Sequence, residues 1–507
     1  MSRVLRFFDA AAAIAASNRF WIAVIVLLTL AVYGPGLTGW FVTDDFIFLR
    51  AAHLTSPLGY VKEAFDFSGY DRHDQLVEFA RNGDINLPCL CYRPLYFVSL
   101  EAIYLVSGEN PVGYHAASLI VHLANTLLVW LIASRLLESR LGPRMAALIF
   151  ALHPAYVASV AWIADITTPL ATLTVLLSLL FFMRSMESDP PHRGWYAGSL
   201  VCYAASTFFH QETIPWVAAF VAFYLLMNAA RRSRAFDPKS WAILLPFIGV
   251  AAGLYALQEW IVAHTPVNQG AFHVGSHMLT HFKNLAGAAL FPVTSEDFAA
   301  ARFVAFVAVL LMLVTLPAIA NLRRRNVALP RAELFVIVWF LASLAPLLTA
   351  DLDYLSRVGV LDRKLYSAGP ALAIFLVMYG TALLNLPPTR LQPYVKVLSA
   401  ALLPLALVGG MMLARDNGQP VRERAQESEQ FVQALRETYP SLPERSTLYV
   451  VGAPRTLRGF GDVHLLSCIQ AFYGRVDAYN VTGERAAALE RSLDEGDHVF
   501  RYVPSPD

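Results

Sequence analysis

A chain of 507 residues that is 56% hydrophobic and 15% charged, with a mean hydropathy of +0.49, carries too few charges for a soluble multidomain protein, where they make up roughly a quarter of residues. It is therefore expected to be a polytopic membrane protein. A formal net charge of +1 supplies no broad basic surface and argues against a nucleic-acid partner, and four cysteines, Cys89, Cys91, Cys202 and Cys468, are too few for a disulfide scaffold.

Arg3, Arg6 and Arg19 precede the first apolar run, Phe20 to Gly36. The pattern has the charged and apolar regions of a signal peptide. However, the run is long and Gly39-Trp40-Phe41 follows it in place of a small-x-small cleavage site, so it is expected to remain as a first span with its basic end in the cytoplasm. The following segment, 37–112, mixes charged and aromatic residues without a spanning run. Tyr60 to Phe67, Gln75 to Ala80 and Arg93 to Val106 are expected to lie as short helices along the outer interface. Later spans are expected at Gly113 to Leu137, Met145 to Ile163, Asp165 to Phe182, Tyr196 to Phe209, Thr213 to Ala230, Trp241 to Val262, Phe303 to Asn321, Leu334 to Thr349, Leu365 to Leu386 and Val395 to Leu413. Within the outer loop 264–300, Met278 to Phe291 is a candidate re-entrant stretch. The arginine-rich loops, Arg135 to Arg144, Arg184 to Arg193, Arg231-Arg232-Ser233-Arg234 and Arg323-Arg324-Arg325, fall on every second side. That alternation supports about eleven transmembrane helices, an inside N-terminus and an outside C-terminus.

After Ala414 the composition becomes that of a soluble module. Residues 415–507 read as a small α/β unit, with helices at Val421 to Tyr439, Val463 to Phe472 and Glu484 to Leu493 and strands at Thr447 to Val451, Arg475 to Val481 and His498 to Val503. The expected architecture is a 1–414 membrane domain followed by this module on the outer side. No internal repeat is visible in it.

The acidic pair Asp44 and Asp45, inside Phe41-Val42-Thr43-Asp44-Asp45-Phe46, stands out. Two adjacent carboxylates at the mouth of a span are costly to desolvate, which suits a site. One of them at the N-cap of a following helix, Phe46 to Ala52, is the plainer reading. Arg93, Arg363 and Lys364 lie near outer ends of spans, either as partners of a phosphate or as interfacial anchors; Arg357 is a weaker candidate of the same kind. Glu212, in Phe209-His210-Gln211-Glu212-Thr213, and Asp165 lie at outer turns and either reach the same cavity or cap their helices. His153 is expected to bond locally. His273, His277 and His281 recur at helical spacing, as metal ligands or as a polar face. No phosphate-cradling Gly-rich loop or nucleophile elbow is present.

Several stretches, in order, resemble a family: Phe41 to Phe46, Tyr92-Arg93-Pro94-Leu95, His122 to Leu128, Leu152-His153-Pro154 through Asp165, and Arg363-Lys364-Leu365-Tyr366. Together they are similar to the membrane domain of the transmembrane and tetratricopeptide-repeat O-mannosyltransferases and their bacterial relatives, within the GT-C glycosyltransferase fold. The resemblance covers roughly residues 20 to 385. It implies a GT-C-like fold and a donor sugar carried on a polyprenyl phosphate. It also implies an acceptor on the outer side and an acidic residue of the first outer loop, Asp44 or Asp45, as base. The missing repeats favour a periplasmic glycan or lipid-linked glycan over a protein as acceptor. Arg363, Lys364 and Arg93 are then candidates for the donor phosphate, and Glu212, Asp165, His210 and Tyr92 for orienting the acceptor or the site. The family pattern has a basic residue before the glutamate where this chain has Gln211.

Chemistry points the same way. Nucleotide sugars are absent outside the cytoplasm, so a transferase there needs a lipid-borne donor, one carboxylate as base and cations for the departing phosphate. The second carboxylate would act as a hydrogen-bonding partner or hold a divalent metal. The competing classes are a transporter or flippase of a lipid-linked substrate, which calls for charges paired within mid-bilayer spans, and a non-catalytic membrane scaffold.

Overall fold

The computed structural model describes residues 17–65, 92–188, 190–228, 241–264, 275–292, 299–324, 330–348, 361–385, 392–458, 463–490, 493 and 496–503. Five helices among them are long and apolar enough to cross a bilayer: Asn18–Thr38, Pro111–Leu136, Ile163–Ser185, Ala300–Ala320 and Arg331–Leu348. A sixth crossing arises if Leu141–Leu152 and Pro154–Ala161, bent by 44° at their junction, form one broken span. The bend is where Pro154 removes a helical N–H donor. His153 stabilises it, its Nδ1 accepting from Ala155 N at 3.3 Å and its Nε2 donating to Ala289 O at 3.1 Å.

In chain order the helices are α1 (Asn18–Tyr33), α2 (Asp45–Leu54), α3 (Pro57–Phe65), α4 (Pro94–Ser107), α5 (Pro111–Leu136), α6 (Leu141–Leu152), α7 (Val157–Ala161), α8 (Thr167–Ser185), α9 (Arg193–Phe209) and α10 (Val217–Phe223). They continue with α11 (Leu245–His264), α12 (His277–Ala288), α13 (Ala299–Arg324), α14 (Arg331–Leu348), α15 (Gly369–Leu384), α16 (Gln392–Asn417) and α17 (Gln419–Thr438). Each expected crossing overlaps at least one of these helices, but the one expected at Thr213 to Ala230 meets only the seven-residue α10 between two short turns. Those not named above as long and apolar, such as α9 and α15, fall short of that standard over the described residues. Helices occur where short ones are expected at 60–67 and 93–106, as α3 and α4, and Gln75 to Ala80 lies outside the described residues.

Large apolar side chains point outward along these helices, among them Leu127, Val304, Leu311, Val314 and Leu405, as lipid-facing surfaces require. Inward faces are joined by polar bonds. α8 and α9 interlock through Ser178 and Ser199: Ser178 Oγ donates to Ser199 O at 2.6 Å and Ser199 Oγ donates to Ser178 O at 2.8 Å. A second network centres on Tyr366. His122 Nε2 donates to Ala151 O at 3.1 Å, which leaves Nδ1 to accept from the Tyr366 hydroxyl at 2.8 Å. Asn125 Nδ2 reaches both Pro169 O at 2.9 Å and Tyr366 Oη at 3.1 Å. These bonds tie α5, α6 and α8 to the 3-10 turn Leu361–Tyr366, and so fix where Lys364 stands.

The C-terminal module follows α17 as β1 (Thr447–Val451), α18 (Val463–Tyr473), β2 (Asp477–Val481), α19 (Gly483–Leu489) and β3 (Asp497–Arg501). Its parallel sheet has the order β2-β1-β3, with Leu448 paired to Ala478 and Val450 to Phe500. These four residues are buried in one core with Phe431, Leu435, Leu465 and Ile469. That core also contains Phe41, Phe46, Leu49, Tyr96 and Leu100, so the module is packed on the segment that links α1 to α5. Phe472 stacks on Trp40 and meets Phe46 edge-on, each at 6.3 Å between ring centroids. Arg436 lies 4.6 Å over the Phe472 ring and pairs with Glu109 at 3.1 Å.

Replacing Tyr366 by Phe removes the hydroxyl that satisfies His122 and Asn125. It is expected to destabilise the purified protein by about 1–2 kcal/mol. Thermal unfolding in detergent measures this, and an unchanged midpoint contradicts the structural role given to the network.

Candidate active site

The chain leaves α1 through the 3-10 turn Gly34–Thr38, whose exit is fixed by His115 Nε2 donating to Gly39 O at 3.1 Å. Phe41 is then buried against Tyr114, 5.5 Å between centroids. Thr43 turns the backbone with φ of 41°, a left-handed conformation rare for a β-branched residue and a mark of local strain. α2 begins immediately afterwards.

The two carboxylates of the pair do different things. Asp45 is 3% exposed, and both its oxygens are occupied: Oδ2 accepts from Val42 N at 2.8 Å and Oδ1 from Ala164 N at 2.7 Å. The first bond closes the loop onto its own helix, like the reach-back half of a capping box. The second joins it to the 3-10 turn Ile163–Ile166. Burial, reinforced by the neighbouring Asp44 charge, pushes the Asp45 carboxyl well above the ordinary range, against the hydrogen bonds from Val42, Ala164 and Trp162. Asp44 makes no side-chain cap bond to α2. Its side chain is 32% exposed, and its Oδ1 accepts from His464 Nε2 at 2.8 Å. The capping role expected for one of the pair is therefore not met: Asp44, at the N-cap, makes no such bond, and Asp45 accepts from Val42 N and Ala164 N, both outside α2. Asp44 is the accessible carboxylate.

The remaining candidates gather around two turns. At Ile163–Ile166, Asp165 accepts from Ser159 Oγ at 2.8 Å and Thr168 Oγ1 at 3.2 Å, while the Tyr96 hydroxyl donates to Ala164 O at 2.7 Å. Asp165 is therefore a buried brace of its turn. Thr167 Oγ1 donates to Phe209 O at 2.5 Å, linking this turn to the second, Gln211–Trp216. There Glu212 Oε1 pairs with Lys364 Nζ at 2.9 Å and lies 3.5 Å from His210 Nε2. Glu212 is 7% exposed, and its Oε2 has no hydrogen-bond partner among the described residues. Arg93 Nε donates to Gln211 Oε1 at 2.9 Å, so the position where the family pattern has a basic residue draws in a cation from elsewhere in the chain. Tyr92 O accepts from Gln258 Nε2 at 3.3 Å, and the Tyr92 ring meets Phe208 edge-on at 6.0 Å.

Lys364 stands in the turn ahead of α15 rather than at the start of a span, and it is already ion-paired. Arg357 and the side chain of Arg363 lie outside the described residues, as do Cys89, Cys91 and His273. His277 and His281 share α12, with ring centroids 5.6 Å apart. No group of three or more His, Cys, Asp or Glu residues among the described residues is arranged to hold a metal ion. His464 was not foreseen from sequence: it lies 420 positions from Asp44, and no local pattern marks it.

The division of roles within the acidic pair is testable by stability. Asp45→Ala leaves the N–H groups of Val42 and Ala164 unpaired in a buried setting, a loss of at least about 2 kcal/mol. Asp44→Ala is expected to cost under about 1 kcal/mol. Equal losses in chemical unfolding contradict the assignment.

Residues 93–255 match the family described as dolichyl-phosphate-mannose-protein mannosyltransferase. The matched segment holds Arg93, Asp165, His210 and Glu212 and begins after the acidic pair. Protein O-mannosyl-transferase Tmtc1 of Drosophila melanogaster is 36% identical over 178 residues, 34% of this chain and 18% of that protein. The chain thus spans less than a fifth of this relative's length. The oligosaccharyltransferase of Archaeoglobus fulgidus superposes over 91% of this chain and 64% of its own, with a TM-score of 0.50 and 12% identity, a likeness of fold. ArnT from Cupriavidus metallidurans, bound to undecaprenyl phosphate, aligns over 94% of this chain and 96% of its own with a TM-score of 0.48 and 13% identity. The chain is a helical polytopic membrane protein with a GT-C-like fold, similar over residues 93–255 to the family described as dolichyl-phosphate-mannose-protein mannosyltransferase.

Proposed function

We propose that the chain is an inverting glycosyltransferase that moves a sugar from a polyprenyl phosphate to a hydroxyl acceptor. The observation that carries this reading is the pairing of an accessible carboxylate with a cationic turn. Asp44 stands beside Asp45, which is bonded to the Ile163–Ile166 turn; Thr167, just after that turn, is bonded to Phe209, just before the Gln211–Trp216 turn, whose Glu212 pairs with Lys364 of the Leu361–Tyr366 turn and whose Gln211 accepts from Arg93.

In the proposed reaction Asp44 takes the proton of the acceptor hydroxyl as its oxygen forms a bond to the anomeric carbon. The bond from that carbon to the phosphate breaks, and the phosphate leaves with the electron pair. Arg93, Lys364 and Arg363 would meet the phosphate charge, and the pairing with Glu212 would hold Lys364 in a fixed orientation. His210, Tyr92 and Asp165 would shape the surrounding turns. A single displacement inverts the anomeric configuration. Asp45, with both oxygens engaged, is the scaffold of the pair rather than a second base.

The same reading assigns eleven crossings, residues 1–414 as the membrane domain, and an outer, periplasmic placement of residues 415–507 in a bacterial inner membrane. The arginine-rich loops on alternate sides support that orientation. A glycan or lipid-linked glycan is the favoured acceptor, in preference to a protein.

Membranes containing the full chain, given a panel of radiolabelled polyprenyl-phosphate sugars, test the reading. Asp44→Asn is expected to lower transfer on the order of 10²- to 10⁴-fold, the usual worth of a general base. Undiminished transfer by that variant removes Asp44 as base, and label that changes leaflet without being consumed favours transport. Arg93→Ala is expected to raise KM for the donor roughly tenfold or more, as loss of a charge-assisted phosphate contact does. An unchanged KM excludes Arg93 from phosphate binding.

A further inference from the structure

His464 is the second residue of α18, and its side chain is 3% exposed. Leu465 and Ile469 on the same helix are buried in the core shared with Phe46 and Leu49 of α2, so α18 is packed against α2 beside the imidazole. A carboxylate only accepts hydrogen bonds, so the imidazole nitrogen facing it, Nε2, carries the proton and donates to Asp44 Oδ1 at 2.8 Å. Asp44 follows the strained Thr43 and has no cap bond to its own helix. Among the described residues, the hydrogen bond to its side chain comes from the C-terminal module.

We propose that His464 is a positioning residue for the transfer reaction, fixing the Asp44 carboxylate so that Oδ2 is the oxygen presented to the acceptor hydroxyl. The inference rests on the reading of Asp44 as base. The acceptor proton goes to Oδ2, and the electron pair of the breaking bond leaves on the phosphate. The His464 N–H stays on Oδ1 throughout and is not transferred. The C-terminal module is then a wall of the active site. It is clamped there by the Trp40–Phe472 stack and the Arg436–Glu109 pair.

The test uses the full chain in membranes, with polyprenyl phosphate bearing radiolabelled mannose as the first donor and other hexoses after it. His464→Ala is expected to lower kcat on the order of 10- to 100-fold, the penalty of a catalytic group displaced by about 1 Å, while KM for the donor stays within about twofold. His464→Gln, whose amide nitrogen reaches the place of Nε2, is expected to recover most of the rate, a rescue that a purely packing role does not give. On an Asp44→Asn background, His464→Ala is expected to cause no further loss. Wild-type kcat in His464→Ala, or a folded His464→Gln protein as slow as His464→Ala, overturns the inference. Where the alanine variant does not fold, the glutamine variant decides: near wild-type kcat supports the inference, and a folded protein slowed 10-fold or more overturns it. Wild-type transfer by Asp44→Asn alone overturns the base assignment itself, which separates the two failures.

Discussion

The arrangement of the polar turns around α2 depends on one buried carboxyl group. Asp45 accepts an N–H from its own loop and an N–H from the Ile163–Ile166 turn, so a segment between two spans is pinned to a turn more than a hundred residues away. A charge in that setting is expensive; the hydrogen bonds from Val42 and Ala164 offset only part of the cost, and burial still pushes the carboxyl well above the ordinary range. With Asp45 committed to the scaffold, its neighbour is held at the loop's outer edge, partly exposed. Adjacent carboxylates with opposite burial are a means of keeping one rigid and the other available.

From that anchor the remaining contacts extend in two directions. Inward along the chain of turns, Thr167 ties the Ile163–Ile166 turn to the one carrying His210 and Glu212. Glu212 in turn fixes Lys364, which the Tyr366 network has already brought to the same level. In the other direction, α18 packs on α2 and brings His464 to Asp44. The polar groups gather at turns and helix ends. That distribution suits chemistry at a membrane surface more than passage across the bilayer, where paired charges within mid-bilayer segments are the usual mark.

Local periodicity carried much of the fold. The strand at Thr447–Val451 falls where its apolar pattern predicts, and α18 and the first two long spans begin and end within a few residues of expectation, because these elements are set by their own side chains. The features missed arise from contacts distant in sequence or from turn chemistry. The apolar run from Met145 to Ile163 reads as one helix, yet Pro154 and the bonds made by His153 break it. Lys364 reads as the start of a span, yet Tyr366 is held by His122 and Asn125 in a 3-10 turn before α15 begins. Asp44 and Asp45 are indistinguishable as neighbours in sequence, and only the position of Ala164 separates their roles. His464 has no local signature at all, since its partner lies at the other end of the chain.

A structure of the full chain with a polyprenyl-phosphate sugar bound tests the central claim most directly. The account predicts the sugar lodged beside α2, its anomeric carbon facing Asp44 with space for a single hydroxyl between them, and the phosphate turned toward Arg93 and Lys364. A donor phosphate resting at the opposite membrane surface, or a sugar separated from Asp44 by the packed body of the protein, contradicts it.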